Sequence, residues 1–198
     1  MFATHQKQIE KACKSDINIC AEALQFVSRS IRNHFYRMPI ITFQENTMGV
    51  EAPSLQQQIK REAFEYINAN KKFLHKNLYS NDLSVAEKIL SMTSIPGIGI
   101  VKAGFIVQLC TGQVGCLDVH NLKMFGLTES TFKFSKSVRQ NTALAKINLY
   151  IETCQKLGGS EFLWDNWCEF IAKKYPKHFK SAEEISKMHV DLIIRDKM

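Results

Sequence analysis

The chain has 198 residues, 45% of them hydrophobic and 23% charged, with a formal net charge of +7. This composition suits a globular protein that can bury a core without disulfides or a structural metal, and its positive excess suits a polyanionic partner. No apolar run approaches the roughly 18–20 residues of a membrane span, and the opening residues lack the apolar stretch of a secretory signal, so an intracellular protein with no membrane partner is expected.

Residues 4–36 read as a helix. Ile9, Cys13, Ile17, Cys20, Leu24, Val27, Ile31 and Phe35 recur at steps of three and four and make one apolar stripe. Ser15 and Asp16 favour caps over helix interiors and mark a place where this helix can break. Residues 39–53 read as loop or short extended chain. Ser54 then caps a helix whose apolar positions, Leu55, Ile59, Ala63, Tyr66 or Ile67, and Leu74, carry it to about Lys76. After a connector at 77–82, Ser84 and Glu87 form a capping-box pattern that opens a short helix through Met92. A further helix runs from Ile100 to Cys110, Gly112 and Gly115 turn the chain, and Asp118 caps another short helix stopped by Gly126.

Residues 127–141 read as a basic loop and 142–157 as helix. Ser160 is expected to cap the next helix, with Leu163, Trp167, Phe170 and Ile171 as its buried face and Pro176 as its end. Ser181 with Glu184 is a second capping-box pattern, opening a last helix to about Arg195. No stretch alternates with period two between hairpin turns. The fold class is therefore all-α, a multi-helix bundle over 1–198. It comprises an N-terminal helix and loop (1–53), a core (54–160) and C-terminal helices completing that core (161–198). The cysteines, Cys13, Cys20, Cys110, Cys116, Cys154 and Cys168, contain no C-x-x-C pair and no histidine at a partner spacing. They read as reduced thiols, four of them on apolar helix faces, and neither a metal nor another cofactor is expected.

The segment from Leu90 to Leu109 carries the strongest motif. A short helix leads into the tight turn Ile95-Pro96-Gly97-Ile98-Gly99, and a second helix begins at Ile100. Gly97 and Gly99 are expected at positive φ, bringing bare backbone close to another surface. The amides that open the second helix then point outward with the positive end of its dipole, an arrangement that suits a phosphate oxygen. Ile98 is expected to tuck back between the two helices. A Pro-Gly corner without a ligand is the plainer alternative.

This segment resembles the helix-hairpin-helix family, whose hairpin reads hydrophobic-Pro-Gly-hydrophobic-Gly. The resemblance implies that Pro96, Gly97, Ile98 and Gly99 face DNA. It extends to the endonuclease III-like DNA glycosylase superfamily, in which an aspartate, often in a Val-Asp-x-His setting, follows the hairpin helix and begins the next one. Here Cys116-Leu117-Asp118-Val119-His120 stands in that place, one residue closer to the hairpin than is usual. The close match covers residues 84–126, and the helices between 55 and 157 agree in order and length.

The implied activity is release of a damaged or modified base by a monofunctional glycosylase, with Asp118 as catalytic carboxylate and Lys102 and His120 as further candidates. Breaking an N-glycosidic bond builds positive charge on the sugar, and a carboxylate beside the anomeric carbon stabilises it. Such an enzyme must also extrude the target nucleotide. A helix N-cap alone, worth about 1 kcal/mol, also accounts for an aspartate here.

Two features depart from the pattern. Bifunctional members carry a Schiff-base lysine two residues after the last hairpin glycine. That place is Val101, and Lys102 is turned away from it by about 100° on the helix, so no covalent lyase step is expected. The four-cysteine iron–sulfur loop of many members is absent, as only Cys154 and Cys168 follow Asp118.

Between Thr131 and Gln140, Lys133, Lys136 and Arg139 interleave with Phe132 and Phe134. The mixture suits phosphate contact plus base stacking, and these cations join Lys102 in the expected DNA-facing set. A solvated loop with two buried Phe anchors fits equally. Trp164 and Trp167 read as core. Other functions fit the same residues: a non-catalytic hairpin module, a phage-type enzyme acting on hypermodified thymine bases, or a structural or interaction protein.

Overall fold

A computed structural model describes residues 2–30, 55–133, 135 and 137–194. Among them the secondary structure is helical throughout: α1 (Phe2–Ser15), α2 (Ile17–Arg29), α3 (Leu55–Tyr79), α4 (Val85–Met92), α5 (Ile100–Thr111), α6 (Val119–Met124), a 3-10 turn (Glu129–Phe132), α7 (Gln140–Lys156), α8 (Gly159–Lys174) and α9 (Ala182–Ile194). The all-α class read from apolar spacing is the class observed. None of these helices is long and apolar enough to cross a membrane.

Local chemistry sets most boundaries. The N-terminal stripe is split where Asp16 turns extended and its carboxylate accepts the Asn18 amide at 2.7 Å, capping α2. Ile9, Cys13, Cys20, Leu24 and Val27 nevertheless bury one continuous face. The expected continuation to 36, the loop at 39–53 and the Ser54 cap lie outside the described residues. At α4 the capping box is complete: Ser84 Oγ accepts the Glu87 amide and Glu87 Oε2 accepts the Ser84 amide at 2.8 Å. At α9 only half of the expected box forms. Ser181 Oγ accepts the Glu184 amide, but the Glu184 carboxylate takes the Lys180 amide instead.

Tertiary packing moves other boundaries. α3 runs past Lys76 because Leu78 is wholly buried and the Tyr79 hydroxyl donates to the Cys110 carbonyl at 3.0 Å. The stretch read as loop from 127 contains the 3-10 turn, and α7 starts at Gln140 rather than 142. Ser160 is not the cap of α8. Gly158 takes that place at φ 105°, no side chain caps the helix, and Ser160 lies inside it, where its carbonyl accepts Gln108 Nε2 at 2.9 Å.

α5 is apolar around almost its whole circumference, and such a helix must be buried. It runs through the middle of the molecule, packed on α1, α2, α3 and α4. α1 and α9, far apart in sequence, pack on each other and contribute to one cluster of buried side chains with α5 and α8. Five of the six cysteines are buried, against the four expected on apolar faces, and Cys116 is half-buried.

His189 of α9 is wholly buried among the rings of Phe26, Phe105, Trp164 and Trp167, with Nδ1–H donating to the Ile185 carbonyl at 2.9 Å. Burial disfavours the imidazolium and lowers its pKa from 6.5 to about 4. Between those values the unfolded chain binds the extra proton, so stability falls as pH drops through this window, by about 3 kcal/mol in total. Asp118, whose pKa is raised by its burial, acts in the opposite direction above the ordinary carboxylate range. Urea midpoints measured from pH 7 to pH 4 should fall in the parent protein and fall much less in His189→Met.

Candidate functional site

The α4–α5 connection closes tightly through local backbone bonds: Ser94 to Ser91, Ile95 to Met92 and Ile98 to Ile95. Tyr66 of α3 braces it, its hydroxyl donating to Ser94 Oγ at 2.9 Å. Ile95 and Ile98 are both buried. Gly97 is exposed at φ 75°, in the region that favours glycine. Gly99 differs from expectation. Its φ of −103° and ψ of −176° are ordinary extended backbone, and a Cβ built on it meets nothing within 4 Å. The fold itself therefore does not require glycine at 99. As N-cap of α5 it offers no side-chain acceptor, leaving the first-turn amides uncapped by it.

The chain returns toward this turn at Asp118, and buried contacts fix that approach. The Tyr150 hydroxyl donates to the Gly115 carbonyl at 2.9 Å and accepts the Leu117 amide at 3.1 Å. Gly104 on α5 makes room for it, since a Cβ there would lie 2.5 Å from the Tyr150 hydroxyl. Asn121 donates through Nδ2 to the carbonyls of Cys116 at 2.7 Å and Leu163 at 3.4 Å, tying the segment to α8.

Asp118 caps α6 as its position predicted. Oδ1 accepts the amides of His120 at 3.0 Å and Asn121 at 2.9 Å. Oδ2 accepts the indole N–H of Trp167 at 2.9 Å, a bond across 49 residues of sequence. Burial raises its pKa, with the Asn121 amide, the His120 charge and the Trp167 N–H pulling the other way.

A cleft of about 1380 Å³ lies between these parts, with Gly97, Gly99, Lys102, Asp118, Lys133 and Trp167 in its wall. Among the described residues, its wall holds four lysines, Lys102, Lys123, Lys133 and Lys174, against one acid, Asp118. Lys102 is half-buried and donates to Ser30 Oγ at 2.7 Å. His120 also lines the cleft, its ring 5.2 Å from that of Phe170.

The remaining candidates separate. Pro96 is half-buried in the turn. Arg139 is exposed and sits as N-cap of α7, outside the cleft wall. Lys136 and Phe134 lie outside the described residues. Phe132 is a buried anchor, edge-to-face with Tyr150 at 5.2 Å. Both tryptophans line the cleft, but Trp164 is buried, its Nε1 donating to Ser186 Oγ, whereas Trp167 is half-buried. Reading both tryptophans as core missed this. Among the described residues, no group of three or more His, Cys, Asp or Glu is placed to hold a metal.

Compared with known proteins, the chain matches no family model, no curated protein and no solved structure.

Proposed function

We propose that this chain binds DNA through the α4–α5 turn and the lysine-bearing cleft beside it. We further propose that it acts as a monofunctional glycosylase of the helix-hairpin-helix type, with Asp118 as its carboxylate. One observation carries the reading: Gly97, Gly99 and Asp118, separated by about twenty residues of buried helix and turn, open onto one cleft. The turn holds a strand by its phosphates, and an extruded nucleotide then enters the cleft with its sugar toward Asp118. Lys102, Lys123, Lys133 and Lys174 balance the phosphates while the Asp118 carboxylate meets the cation that develops on the sugar. Lys102, already bonded to Ser30, helps hold the strand in this reading rather than attacking the sugar.

A non-catalytic DNA-binding module is favoured by a different observation, namely that both oxygens of Asp118 are already engaged by protein donors. A panel of duplexes carrying uracil, oxidised, alkylated and hydroxymethylated bases separates the two. Base release from any of them supports the enzyme. Tight binding without release from any of them supports the module.

The electrostatic part has its own test. Lys123, Lys133 and Lys174 are exposed in the cleft wall. If each neutralises one phosphate, replacing all three with Gln should flatten the plot of log K against log salt by about two to three units. An unchanged slope would show that the strand lies elsewhere.

A further inference from the structure

Asp118 has two oxygens in unequal positions. Oδ1 accepts two backbone amides, which occupies both of its in-plane lone pairs. Oδ2 accepts one described donor, the Trp167 indole, which leaves one lone pair. Bonds at both ends of the carboxylate hold its plane, so a proton or a developing cation in the cleft meets Asp118 at Oδ2. Trp167 is itself fixed. Trp164, Cys168 and Ile171 anchor α8 in the core, and the Trp167 ring stands at 69° to that of buried His189, 5.9 Å away.

We propose that Trp167 is the positioning residue of this site, fixing Oδ2 of Asp118 as the working oxygen. The inference rests on the reading of Asp118 as the reacting carboxylate, and it goes beyond that reading by assigning the residue that prepares it. An N–H bond to a carboxylate favours the charged form, in opposition to desolvation. Among the described residues, the other titratable groups facing this pair are Cys116 before it, His120 and Lys123 on α6, Lys102 on α5, Lys133 across the cleft, Lys174 on α8, and His189 on α9 behind the indole.

The chain has two tryptophans, so nitrogen-15 spectra contain two indole N–H signals. The Trp167 signal should titrate with the same midpoint as the carbon-13 signal of the Asp118 carboxyl, and that component should vanish in Asp118→Asn. The Trp164 N–H, bonded to Ser186 Oγ at 2.9 Å, is the control. His189 touches both rings, but its titration persists in Asp118→Asn and so separates from that of Asp118. In Trp167→Phe the Asp118 midpoint should rise by about one pH unit or more. An indole signal blind to Asp118, or an unmoved midpoint in Trp167→Phe, overturns the proposal, and the first of these needs no Trp167 variant to fold.

Kinetics add a readout that a purely structural role would not give. Trp167→Phe should lower kcat by roughly ten- to a hundredfold with KM within about twofold, and its acid limb should move to higher pH. If the unmutated protein releases no base, the glycosylase reading fails, while the spectra still decide whether Trp167 controls Asp118.

Discussion

Asp118→Asn should reduce base release by at least roughly a hundredfold while DNA affinity is kept or improved. The charge is what the chemistry uses, since a neutral amide cannot stabilise a sugar cation as a carboxylate does. Removing an acid from a wall whose other described charged groups are lysines also removes a repulsion toward phosphate. The substitution is not structurally silent, however. An Asn at 118 can still accept the His120 and Asn121 amides through its oxygen, but its NH₂ then faces the Trp167 N–H, donor against donor. That mismatch should cost about 1–3 kcal/mol of stability whether or not Asp118 is catalytic. The double variant Asp118→Asn with Trp167→Phe removes the opposing donor. It should regain much of the stability and none of the activity. Base release by the double variant close to that of Trp167→Phe alone would reduce Asp118 to a cap.

The helices were legible because their signals are local. Period-three-and-four apolar spacing marked the face that Ile9, Cys13, Cys20, Leu24 and Val27 bury on α1 and α2, and the caps at Asp16, Ser84 and Asp118 lie within three residues of the amides they satisfy. On α8 only Leu163 and Ile171 of the expected face are buried, while Trp167 and Phe170 are half-buried and Trp164 and Cys168 take their place in the core. Where boundaries moved, a distant contact moved them. Tyr79 is held by Cys110, and the start of α8 follows the left-handed backbone of Gly158 and Gly159 rather than the cap preference of Ser160.

The site was legible in part for the same reason. Gly97, Ile98 and Asp118 act through neighbours along the chain. The bond from Trp167 to Asp118 and the two bonds from Tyr150 to the Gly115–Leu117 backbone join segments 33 to 49 residues apart, and no spacing rule reaches them. Trp164 and Trp167 looked equivalent at a separation of three, yet that spacing puts them about 60° apart on the helix. One donates its indole N–H to Ser186 in the core, and the other donates to Asp118.

Of the two glycines in the α4–α5 turn, Gly99 gives the cleaner test of DNA contact. Gly97→Ala forces a methyl-bearing residue into φ 75° and should cost about 1–2 kcal/mol of stability, so lost DNA affinity there mixes strain with contact. Gly99→Ala carries no such burden. Its backbone is extended, a Cβ has open space, and the opposing effects of a poorer N-cap and a stiffer unfolded chain each amount to about 0.5–1 kcal/mol. Stability should therefore stay within about 1 kcal/mol of the parent. A methyl at 99 would nevertheless stand between an approaching phosphate and the first-turn amides of α5. Losing two such charge-assisted bonds, at about 1.5 kcal/mol or more each, predicts DNA affinity lower by roughly a hundredfold. Equilibrium unfolding and fluorescence anisotropy on the same samples would measure both quantities. A stable Gly99→Ala protein with unchanged affinity would mean that no strand approaches this turn, and the Pro96–Gly99 corner would then be a structural feature of the fold alone.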